Sequence, residues 1–80
     1  MTFREWREIR RQKKEFWEIL RYIDGKYYDS YNDAIKFMAK ACAIKNSLEK
    51  KVSEKKFRYM DICLFYTGQR LETRYYRREF

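Results

Sequence analysis

The hydrophobic positions of this chain fall into three stretches, and its only two glycines, Gly25 and Gly68, are the natural turn points. In the first, Phe3, Trp6, Ile9, Phe16, Trp17, Leu20 and Ile23 lie on one broad helical side, interrupted by Arg10 and Lys13. Thr2 followed three residues later by Glu5 reads as a capping box. Arg4–Glu8, Arg11–Glu15 and Lys14–Glu18 are opposite charges at i,i+4, one turn apart on a helix. Residues 3–22 are therefore expected to be mostly helical. The competing reading is a strand over 16–23 that pairs back through the Asp24-Gly25 turn, since Asp-Gly between apolar runs is a hairpin signal. Gly25 could equally end the helix as a residue of positive φ.

The second stretch has a clearer period. Asp29-Ser30 supplies a cap, and Asp33 is an acid in the first turn. Tyr31, Ala34, Ile35, Phe37, Met38, Ala41, Cys42, Ile44, Leu48 and Val52 share one half of the helical wheel. Lys36, Lys40, Ala43, Ser47, Lys50 and Lys51 share the other. Lys45 intrudes on the apolar half and has Glu49 one turn away. The pattern predicts an amphipathic helix over 31–52.

The third stretch alternates. With Thr67-Gly68 as a two-residue turn, strands 57–66 and 70–78 pair in a register that sets Asp61 opposite Arg74. Met60, Ile62, Leu64, Leu71, Thr73 and Tyr75 then share one face. Phe57, Tyr59, Asp61, Cys63 and Phe65 share the other with Arg70, Glu72, Arg74, Tyr76 and Arg78. A third helix ending at Gly68, with Phe57, Met60 and Leu64 inward, is the rival. The expected fold class is α+β: one small domain over 1–80, helix 31–52 packed on an antiparallel hairpin, with a mostly helical N-terminal segment.

Composition narrows the function. Eighty residues carry 20 Lys and Arg against 12 Asp and Glu, a net charge of +8, with no His. The absence of His removes the commonest general base and metal ligand. Two glycines cannot build a phosphate-cradling loop, and the three serines have no His to activate them. No enzyme, cofactor or metal site is expected. Cys42 and Cys63 lack metal-ligand spacing and read as two reduced thiols, which with the lack of a secretory signal suggests a cytoplasmic protein. No apolar run reaches membrane-spanning length, and the glutamates of 3–23 weaken any attraction to anionic lipid. Aromatics make up 20% of the residues, so the core is expected to be thin and ring-rich, which leaves room for a homodimer.

All ten Arg lie in 4–21 or 58–78 and all ten Lys in 13–56. Arginine forks onto phosphate and stacks on rings. The hairpin face of Phe57, Tyr59, Phe65, Arg70, Arg74, Tyr76 and Arg78 is thus the expected contact with nucleic acid or a nucleoprotein complex, with Lys36 and Lys40 on the neighbouring helix adding backbone charge. The N-terminal cations read as self-neutralising helix pairs, and Trp6 and Trp17 as core or interface anchors. The alternative function is a small inhibitor or adaptor of the kind mobile elements encode, anti-CRISPR proteins being one example, which grips a host protein machine by protein–protein contacts.

Overall fold

The computed structural model describes residues 2–76, with Tyr76 described by its backbone alone. Three helices follow one another: α1 (Phe3–Asp24), α2 (Tyr31–Ser47) and α3 (Glu54–Tyr76). Among the described residues there is no strand, so the α+β expectation is overturned and the fold is all-α.

α1 forms as its period and cap dictate. The Glu5 backbone N–H donates to Thr2 Oγ1 at 3.1 Å, satisfying one of the donors a helix start leaves open. The helix runs straight through 16–23, so the strand alternative fails. Its C-terminus closes by the Lys26 N–H to Ile23 O (3.1 Å) and the Tyr27 N–H to Tyr22 O (3.2 Å), the paired bonds of a Schellman motif. The left-handed residue is Lys26, at φ 61°, while Gly25 stays right-handed at φ −79°. The glycine has another use: a Cβ there would lie 2.3 Å from Cε2 of the Tyr27 ring.

α2 begins at the expected cap, with the Asp33 N–H donating to Ser30 Oγ at 3.2 Å. It stops at Ser47, five residues before the predicted end. Leu48 is completely buried, and successive bonds from the Lys51 and Val52 N–H groups to Leu48 O turn the chain around it. Ser53 then caps α3, its Oγ accepting from the Lys56 N–H at 3.2 Å.

α3 is the main correction. Residues 57–66 and 70–76 form one continuous helix that passes through Thr67-Gly68 instead of turning there. The positions buried are Met60, Leu64, Thr67 and Leu71, at helical spacings of four, three and four. Ile62, assigned by alternation to the same face as Met60 and Leu64, is 54% exposed. Asp61 faces Lys45 of α2, not Arg74. Lys45 is itself buried, its Nζ 2.6 Å from Asp61 Oδ1 and 5.3 Å from the Phe57 ring centroid, and it does not pair with Glu49.

All three helices pack on one another around a single core. Phe16, Ile23, Ala34, Ala41, Leu48 and Met60 are completely buried. Phe16 is the one aromatic among the described core residues, so the centre is aliphatic where rings were expected. The rings form a rim instead. Tyr31 and Tyr75 meet at 4.6 Å, Tyr22 and Phe37 at 4.8 Å, and Trp17 packs on both Phe16 and Tyr59. Rings at a rim bury their flat bodies and leave their polar edges wet, an economical use of tyrosine. Cys42 and Cys63 are half-buried free thiols.

Candidate nucleic-acid interface

The helical α3 scatters the residues that the hairpin would have gathered. Arg70 and Arg74 lie one turn apart on the face that passes the end of α1. A helix C-terminus presents unpaired carbonyls and partial negative charge, and guanidinium groups satisfy both. Arg74 donates through Nη1 to Ile23 O (2.9 Å) and the Tyr28 hydroxyl (3.2 Å), and through Nη2 to Asp24 O (2.9 Å). Arg70 forks onto Asp24, its Nε and Nη2 each 2.9 Å from a carboxylate oxygen, and also donates to the buried Thr67 hydroxyl at 3.2 Å. The Asp24 hydrogen bonds raise the Arg70 pKa further above its ordinary value. These two arginines clasp α1 to α3, so they are withdrawn from the proposed contact surface.

The other expected site residues disperse. Phe57 is half-buried under Lys45. Tyr59 lies against Trp17 at 5.5 Å. Phe65 is exposed on the opposite side, edge-on to Tyr66 at 5.7 Å. Lys40 reaches across to Glu15 of α1 at 2.8 Å, while Lys36 is exposed on α2. Arg78 and the Tyr76 side chain lie outside the described residues.

A different basic surface is assembled on α1. Trp6, Arg10, Lys13 and Trp17 are spaced by four, three and four residues, which aligns them along one face over about 16 Å at 1.5 Å per residue. Arg10 sits over the Trp6 ring, its Cζ 5.4 Å from the centroid. Arg7 sits likewise over Phe3, at 5.8 Å, and the Phe3 and Trp6 rings stack at 6.1 Å. The turn between α2 and α3 brings Lys51 against this face. Trp6, Ile9, Arg10, Lys13 and Lys51 line a depression of about 290 Å³ that holds three cations and no acid. At the far end Lys56 lies 5.5 Å from the Trp17 ring and 5.8 Å from Tyr59.

Glu5 and Glu8 line the adjoining depression with Lys50 and Lys51, while the other acids of α1 pair along or across the helix. Arg11 takes both Glu8 and Glu15, and Lys14 pairs with Glu18 at 4.0 Å. The Arg11 hydrogen bond holds the Glu8 carboxyl below the usual carboxylate range, and Lys40 does the same for Glu15. The expected Arg4–Glu8 pair is displaced by Arg11. Arg10 and Lys13 make no ion pair with any described residue. Along the sequence these two stand as interruptions of an apolar side. Their 4–3–4 spacing between two tryptophans was the signal for this surface, whereas Lys51, 38 positions beyond Lys13, carried none.

The arrangement suits a polyanion with flat groups. Cations held at fixed spacing neutralise phosphates, and rings at each end offer stacking faces. Among the described residues no three His, Cys, Asp or Glu side chains group as metal ligands. Among the described residues no helix is long and apolar enough to cross a membrane. Comparison with models of protein families, with curated proteins and with solved structures finds no match.

Proposed function

We propose that this protein is a non-enzymatic nucleic-acid-binding module, acting on free nucleic acid or on a nucleoprotein complex. The observation that carries the reading is the acid-free strip of Arg10, Lys13 and Lys51 between the Trp6 and Trp17 rings. Phosphates of one strand contact the cations, and bases or sugars lie on the exposed Trp6 and the Trp17–Tyr59 pair. Sequence preference is weak in this reading, because cations spent on phosphates fix register but carry no sequence information. The site thus moves from α3 to α1, with Lys56 and Tyr59 of α3 as its margin.

Fluorescence anisotropy of labelled single strands and duplexes, titrated across salt concentrations, tests this. Affinity should fall linearly on a log–log plot, with a slope of about −3 to −4 if four cations contact phosphate. Arg10→Glu with Lys13→Glu should weaken binding by about 100-fold at low salt and leave the helical circular dichroism spectrum intact. Absence of binding at low salt would refute the proposal. Undiminished binding by the double variant would refute the site.

A further inference from the structure

The surface of α3 away from α1 has its own pattern. Arg58, Ile62, Phe65, Gln69 and Glu72 recur at spacings of four, three, four and three, which is the seam period of paired helices. All five are exposed, Phe65 at 59%. Beside this seam a groove of about 760 Å³ runs between α2 and α3, with Ile35, Met38 and Gly68 in its lining. A glycine in mid-helix costs about 1 kcal/mol relative to Ala. Here it lets α3 pack closely on α2, because a Cβ would stand 3.2 Å from Met38 Cε.

Phe65 is the midpoint of the seam's charged ends: Arg58 stands seven residues before it and Glu72 seven after. We propose that a second copy of this chain covers the groove, the two α3 helices running antiparallel about a two-fold axis at Phe65. An isologous contact requires a self-complementary surface, and this seam is one. Phe65 meets the partner's Phe65. Ile62 packs beside it against the partner's α3. Arg58 faces the partner's Glu72, and the reverse pair repeats the contact.

Charge favours this face over any other for self-association. Two chains of +8 repel where cations are exposed. The groove lining has one cation, Lys45, already matched by Asp61 at 2.6 Å, together with the acid Glu72. Glu72 has no ion pair with any described residue. The present partner of Arg58 is Glu54 at 3.1 Å, with both side chains at least three-quarters exposed, so exchanging it costs little. The roughly 800 Å² that a standard interface takes from each partner is about an eighth of the 6399 Å² of accessible surface.

Sedimentation velocity on the full chain, without nucleic acid, tests the dimer apart from the proposed function. The expected mass is twice the 10.2 kDa of one chain, with dissociation at about 1–100 µM. Phe65→Glu should give a monomer with an unchanged circular dichroism spectrum. Arg58→Glu or Glu72→Arg alone should weaken association by about tenfold, and the two together should restore it to within about threefold. A chain that sediments at 10.2 kDa up to about 500 µM overturns the proposal. So does a dimer indifferent to Phe65→Glu, or a charge exchange that fails to restore association.

Discussion

Two regions of this molecule carry cations one helical turn apart, and they do opposite things. On α1, Arg10 and Lys13 project from the helix beside Trp6 and Lys51 with no acid among them. On α3, Arg70 and Arg74 are drawn into five hydrogen bonds with the end of α1 and Tyr28. Residue type and spacing are nearly the same, and the difference is what lies opposite. Arg74 meets two carbonyls at the end of α1 and the Tyr28 hydroxyl, whereas Arg10 meets a ring and solvent. A guanidinium is available to a ligand only where the fold has no better use for it, and its own helix does not reveal which case holds.

Exchanging the roles of the two regions is the sharpest way to break the comparison. Arg74→Met keeps the aliphatic stem and removes three charge-assisted bonds. It should lower unfolding free energy by about 2–3 kcal/mol in urea melts, while the folded fraction keeps the full salt slope for nucleic acid. Reduced slope with unchanged stability would assign Arg74 to the binding surface instead. Arg10→Ala should do the converse, reducing the salt slope by about one and changing stability by less than about 0.5 kcal/mol.

The smaller effects concern the α1 end that the clasp holds. Lys26→Gly relieves a left-handed residue and should stabilise the chain by about 1 kcal/mol, read as a rise in Tm. A double-mutant cycle of Arg70→Gln and Asp24→Asn should give a coupling of about 0.5–1 kcal/mol, modest because both side chains are over a third exposed. The smallest effect is on pH. Glu8 and Glu15 have pKa values lowered by Arg11 and Lys40, so their contribution is present above the unfolded carboxylate pKa, near about 4.3, and is lost as pH falls through the lower folded values. Tm should therefore drop between about pH 5 and 3, and Arg11→Gln should flatten that dependence.

α1 and α2 were legible in the sequence because their caps and 3.6-residue periods agreed: Thr2 and Ser30 each accept the N–H three residues on, as read. α3 was misread because Met60, Ile62 and Leu64 alternate, and alternation over so few residues fits a strand as well as one side of a helix. Thr67-Gly68 reinforced the error, since the pair resembles a turn. Burial of Thr67 and Leu71 against the other helices decides for the helix. The candidate site followed the same rule. Its α1 stripe is present in the order Trp6, Arg10, Lys13, Trp17, but Lys51 and Lys56 join it only when the α2–α3 turn folds back.

The sequence by itself determined the excess of positive charge, the absence of histidine, two of the three helices and the caps that start them. All of these depend on residue type or on neighbours within one turn. Only the tertiary structure decided that 54–76 is a helix, that the rings form a rim around an aliphatic centre, and which arginines remain free. Those outcomes depend on contacts between residues as much as 51 positions apart, such as Arg74 with the Ile23 carbonyl, and local preference does not encode such contacts.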